Sequence, residues 1–152
     1  MPYRHTQRGT ALMVMFESIA LVAIAVAVLI WWRASPSADW GVLFGPLAIL
    51  AVLVAAAWYF SSMTVEVTGG ELRWYLGPGR AYRIDRSDIE GASIVRHPWW
   101  HGYGIRWIGQ NRWTYIVSGR NAVEVRLQGG GWRRIGTDDP EGLLAALTPE
   151  RK

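Results

Sequence analysis

The chain has no cysteine among its 152 residues. That excludes a disulfide framework, a thiolate metal site and a cysteine nucleophile, and it leaves redox chemistry silent about compartment. Lysine is nearly missing too, since fifteen of the sixteen basic residues are arginine. The net charge of +4 divides into +1 over residues 1–63 and +3 over residues 64–152. No stretch carries the concentrated basic face of a nucleic-acid binder, so nucleic acid is not an expected partner. Ser87, Ser93 and Ser118 lack a nucleophile elbow, and the glycine pairs suit hairpin turns better than a phosphate loop. The expectation is therefore no enzyme, no catalytic residue and no cofactor.

Long apolar runs are confined to the first 63 residues. Ala11–Trp32 holds one interior charge, Glu17, and Val42–Met63 holds none. As a helix, each run of 22 residues reaches roughly 33 Å, against a bilayer core of about 30 Å. The first run is longer than a signal-peptide core and is followed closely by the second, which favours a helical hairpin. The predicted organisation is a tail at 1–10, transmembrane helix 1 at 11–32 and a short extracytoplasmic loop at 33–41. Transmembrane helix 2 follows at 42–63, and a cytoplasmic domain occupies 64–152. Arg4 and Arg8 in the tail outnumber Arg33 in the loop, so the positive-inside rule puts both termini in the cytoplasm. Trp31, Trp32, Trp40, Trp58 and Tyr59 sit where aromatic side chains prefer a membrane interface. Pro46 fits the first turn of helix 2, where its missing N–H costs nothing.

From Thr64 the pattern changes to period-two alternation broken by glycines. TVEV and ELRWYL flank Gly69-Gly70 as a hairpin, and short strands are predicted at 81–85, 92–96, 104–108, 112–117, 122–127 and 132–136. Asp139, Pro140 and Glu141 then mark a helix start, with Leu143, Leu144 and Leu147 as its apolar stripe. The predicted fold class is α+β: a transmembrane hairpin followed by an antiparallel β-barrel capped by a C-terminal helix.

Several strings carry a resemblance. They are Ile84-Asp85-Arg86-Ser87-Asp88-Ile89, His97-Pro98 with Gly102-Tyr103-Gly104-Ile105-Arg106, Ala122-Val123-Glu124-Val125, and Ile135-Gly136-Thr137-Asp138-Asp139-Pro140. This order resembles the pleckstrin-homology (PH) fold, in its bacterial membrane-associated branch with two N-terminal spans. The resemblance implies a PH-like barrel in a bacterial inner (cytoplasmic) membrane, and no activity. Phosphoinositide-binding relatives carry a tight basic cluster between the first two strands. This chain has Glu71, Arg73, Arg80 and Arg83 there, so inositol-lipid recognition is not implied.

Three kinds of site are candidates. Trp99 and Trp100, flanked by His97 and His101, are candidate partner contacts or an interfacial anchor, because adjacent residues of an extended chain point opposite ways. Two histidines do not make a metal site, which needs three or four ligands, so none is expected. Arg80, Arg83, Arg86, Arg133 and Arg134 are candidate lipid-headgroup contacts, against the alternative of a solvated mixed surface. Glu17 is an intramembrane polar residue that either snorkels or pairs, or serves ion chemistry. The leading expectation is a membrane-tethered module that binds or scaffolds an unknown protein partner. The alternatives are a peripheral anionic-lipid binder and a small transporter or enzyme subunit using Glu17. Alanines on both spans leave homo-oligomerisation open.

Overall fold

The computed structural model describes residues 2–33, 41–98 and 102–148. The chain runs β1 (Tyr3–Arg8), α1 (Thr10–Arg33), α2 (Gly41–Tyr59), β2 (Ser62–Val67), β3 (Glu71–Leu76) and β4 (Tyr82–Asp85). A 3-10 turn at Arg86–Asp88 leads to β5 (Ile89–Arg96), β6 (Gly104–Trp107), β7 (Arg112–Ile116), β8 (Asn121–Leu127), β9 (Trp132–Gly136) and α3 (Pro140–Leu147).

The largest departure from the sequence reading is at the start. Residues 3–8, read as part of a tail, form a strand that pairs antiparallel with β2 from Tyr3↔Val67 to Arg8↔Ser62. Their alternation is polar, with Tyr3, His5 and Gln7 turned inward and Arg4, Thr6 and Arg8 outward, so hydropathy does not flag it. The apolar hairpin is consequently an insertion between two neighbouring strands of one sheet.

α1 is long and apolar enough to cross a membrane: Leu12–Arg33 spans 22 residues at a mean hydropathy of 2.6. The second apolar helix, Phe44–Tyr59, is shorter. The run predicted to 63 leaves the helix after Tyr59, and Ser62 and Met63 already belong to β2. Pro46 lies inside α2, not in its first turn.

The domain is α+β, and the expected barrel is not closed among the described residues. The strands form two sheets, ordered β1-β2-β3-β4 and β5-β8-β9-β7-β6. The chain turns out of the first sheet at Arg86–Asp88, so β4 and β5 end up in different sheets. The β8–β9 hairpin folds back to put β9 beside β7, and that one pairing is parallel. Gln110 and Asn111, predicted as the β6–β7 turn, have φ of 46° and 58°, as a two-residue hairpin turn requires.

The core lies between the sheets. Trp74, Met63, Leu72, Leu76, Val65 and Val67 meet Tyr115, Val117, Val123, Val125 and Ile135. Trp74 stacks on Tyr82 at 5.7 Å and meets Tyr115 edge-on at 5.1 Å, which locks β3 and β4 over β7. α3 seals the opposite side with Leu143 and Leu147. Its start is capped by Asp139, whose Oδ1 accepts the Gly142 N–H at 3.0 Å.

Candidate functional site

Two strands running directly into two helices need a rigid joint, and the residues at 9, 60–62 and 77 supply one. Gly9 N–H donates to the Ser61 carbonyl at 2.7 Å, and Gly77 N–H to the Ser62 carbonyl at 2.8 Å. A Cβ at Gly9 would stand 2.1 Å from the Phe60 carbonyl oxygen, so only glycine lets the backbones approach this closely. Leu12, in the first turn of α1, is buried in the domain core, and Phe16 stacks on Phe60 at 6.3 Å. Thr10 Oγ1 lies 2.9 Å from Ser118 Oγ, and Gln7 Nε2 donates to the Ser118 carbonyl at 3.1 Å. The hairpin is thus held from both sheets.

This joint orients everything else. The turns at 77–80 and 118–121, and residues 97–98 and 102–103, lie at the hairpin end. The turns at 68–70, 86–88, 108–111 and 128–131 lie at the far end, one strand length or roughly 20 Å away. At the hairpin end Arg8, Arg80, Arg96 and Arg120 are exposed, and none of them forms an ion pair among the described residues. Charges of both signs mix at the far end, with Glu71, Asp85, Asp88 and Glu90 on or beside its turns together with Arg86, Arg112 and Arg133.

The residues singled out by sequence are scattered. Trp99, Trp100 and His101 lie outside the described residues. His97 is buried. Its backbone N–H donates to the Arg120 carbonyl at 2.6 Å and its Nε2 donates to the Gly102 carbonyl at 3.0 Å, which ties β5 to the 118–120 turn. Of the five candidate headgroup arginines, Arg80 alone reaches the hairpin end. Arg83 is exposed on β4 opposite Arg73. Arg86 donates to the Leu147 and Thr68 carbonyls at 3.0 and 3.4 Å, fastening the end of α3. Arg133 donates to the Asn111 carbonyl and side chain at 2.6 and 2.8 Å. Arg134 is 2.7 Å from Glu124 and covers the Trp132 ring at 4.5 Å. Glu17 is exposed on α1 about two turns above Thr10.

Sequence reasoning missed Arg8, Arg96 and Arg120, and also Trp107 and Ile108. Outside the hairpin, the exposed large hydrophobics among the described residues are Ile94, Trp107 and Ile108. Trp107, 66% exposed, ends β6, which is a free edge of the second sheet.

Two tyrosines titrate abnormally. Burial, reinforced by its hydrogen bond to Asp139, raises the Tyr3 hydroxyl well above its ordinary range. Burial pushes Tyr115 up to about 12, with Arg133 opposing and Tyr82 adding to the shift. No group of three His, Cys, Asp or Glu side chains comes together among the described residues. Between the helices, an apolar cleft of about 270 Å³ is lined by Ala23, Ala27, Trp31 and Leu47, among others. What the domain offers chemically is a cationic end beside the hairpin, a far end of mixed charge and a strand edge with an exposed indole. No protein-family model matches the chain, and no curated protein matches it.

Proposed function

We propose that the chain is a two-span protein of a bacterial inner membrane, with both termini in the cytoplasm, whose PH-like domain binds and scaffolds a protein partner. The two adjacent apolar helices and their flanking arginines support the anchor and its orientation. Two facing sheets with a C-terminal helix over one side support the PH-like reading, with the sheets' edge strands β1, β4, β5 and β6 not joined to one another among the described residues.

The observation that carries the binding role is β6. Among the described residues it pairs on one side only, so alternate backbone N–H and C=O groups on its outer side are available to an incoming strand. It ends in exposed Trp107 and Ile108, at the end of the domain farthest from the hairpin. The occupant this edge suits is an extended peptide segment of a partner, held by main-chain hydrogen bonds with an apolar side chain on the indole. Tryptophan is the residue type most often responsible for a large share of interface energy.

The test places a photocrosslinking amino acid at 107 and, as a control on another face, at 126 in the full chain in cells. Adducts are expected at 107 and not at 126. A peptide from the crosslinked segment should then bind the full chain in nanodiscs and weaken about 10–30-fold in Trp107→Ala. Equal crosslinking at both positions, or a change under about twofold, rejects the site.

A further inference from the structure

We infer that Arg8, Arg80, Arg96 and Arg120 form a collar around the base of the helical hairpin that binds the headgroups of anionic phospholipids. The four come from separate parts of the chain: the end of β1, the β3–β4 turn, the end of β5 and the β7–β8 turn. The fold brings them to one end because strands alternate in direction from the hairpin outward. Arg8 precedes Gly9, which is bonded to Ser61 at the exit of α2. Arg80 follows Gly79, where a Cβ would stand 2.6 Å from the Tyr59 hydroxyl. Arg96 pairs with Asn121 beside Arg120, and Arg120 belongs to the turn whose Ser118 holds Gln7 and Thr10.

Charge complementarity identifies the occupant. All four side chains are exposed and, like Arg83, Arg106 and Arg112, make no ion pair among the described residues; what sets the four apart is that they share one end of the domain. No aspartate or glutamate occurs in 77–80, 97–98, 102–103 or 118–121. At the other end Glu71, Asp85, Asp88 and Glu90 are interleaved with Arg86, Arg112 and Arg133, so the charge there is mixed. The hairpin end, cationic without acidic neighbours on its described turns, is the end drawn toward a negatively charged surface. The guanidinium fork matches phosphodiester oxygens, which supplies geometry as well as charge. Being tethered, the collar needs little affinity per site to be occupied.

The collar rests on the reading of the hairpin as a membrane anchor, and the test separates the two. The full chain is reconstituted in bilayers of phosphatidylcholine containing spin-labelled phosphatidylglycerol or spin-labelled phosphatidylcholine, and the immobilised fraction of each is measured. A chain that does not remain with the bilayers after an alkaline wash rejects the anchor. If it remains, immobilisation should favour phosphatidylglycerol by about threefold at low salt and lose that preference as salt screens the charges. The fourfold variant Arg8→Gln, Arg80→Gln, Arg96→Gln, Arg120→Gln should show no preference, and the matching Arg→Lys variant should retain most of it. Arg4→Gln, Arg83→Gln, Arg112→Gln, Arg126→Gln together change net charge equally and should keep the preference. An unselective wild type, or equal loss in both Gln variants, overturns the collar. The Arg→Lys variant keeps the question decidable if the Gln variant does not fold.

Discussion

Replacing residues 10–60 by a four-residue turn between Gly9 and Ser61 tests the insertion directly. The two residues already share a hydrogen bond of 2.7 Å at the mouth of the ribbon, so a short turn can close it. Shortening a loop of roughly 50 residues to four lowers its closure cost by about 2 kcal/mol, if the loop behaves as a flexible chain. Against that, the domain loses the burial of Leu12, about 2 kcal/mol, and the Thr10–Ser118 hydrogen bond, about 1 kcal/mol. The balance is a loss of about 1 kcal/mol, or a fall in Tm of about 4–8 °C for a domain of this size. A fragment of residues 64–152 fares far worse. It lacks β1 and its six-residue register with β2, and the Gln7–Ser118 bond with it. At about 1 kcal/mol net per hydrogen bond the loss is about 4–6 kcal/mol, comparable with the whole stability of a small domain. Circular-dichroism melts and amide NMR spectra of the two soluble proteins are the assay. A cooperative melt of the 64–152 fragment within a few degrees of the closed-turn protein would refute the claim that β1 belongs to the domain.

Gly9→Val should cost about 1–3 kcal/mol in the full chain in detergent, because its Cβ meets the Phe60 carbonyl, while Gly69→Ala, which meets nothing within 4 Å, should be nearly neutral in the same urea titrations. Arg134→Ala strands Glu124, which is 8% exposed, and should cost about 3 kcal/mol; Arg126→Ala, at 3.8 Å and largely solvated, should cost under about 1 kcal/mol. Asp139→Ala removes the cap of α3 and the acceptor of Tyr3, and should lower Tm by the equivalent of about 1–2 kcal/mol. Tyr115 is held neutral in the fold up to about 12 against an ordinary value of 10, so the unfolded chain releases its proton first. Its contribution is complete below pH 10 and is lost as pH rises through 12, and Tyr115→Phe should make the decline in denaturation midpoint over that interval shallower.

Strand positions after residue 64 were legible because glycine and asparagine turns punctuate an alternating apolar pattern, and φ at Gln110 and Asn111 shows why those residues sit there. β1 was not legible. Its inward residues are Tyr3, His5 and Gln7, and the residues that pair with it are more than 50 positions away along the chain. The end of α2 was overrun for a related reason: Met63 is apolar because it is core, and hydropathy cannot distinguish core from span. The proposed arginine collar had a readable signal that composition hides. Strands that alternate outward and back from the hairpin put every second connection beside it, so the turns at 77–80 and 118–121 return there with the end of β5. Counting turns from the anchor finds Arg80, Arg96 and Arg120. Clustering arginines by sequence distance instead selects Arg133 and Arg134, whose partners Asn111 and Glu124 hold them elsewhere.

The place of the anchor in the chain bears on how such a module works. A domain appended to a span by a linker samples many orientations, and each partner must select one. Here α1 and α2 continue from neighbouring strands, with Leu12 in the core and Ser118 binding both Gln7 and Thr10. Rotation of the domain against the hairpin would break contacts to both sheets. The same construction that puts Arg8, Arg80, Arg96 and Arg120 at the hairpin end puts Trp107 and the β6 edge at the other. On the two proposals made above, lipid and protein would then compete for no common surface, and the ordering cost of presenting β6 would be met during folding instead of at each encounter. It follows that loosening the joint, as Gly9→Val does, should weaken partner capture at 107 in the membrane-bound chain even though residue 9 lies at the opposite end of the domain.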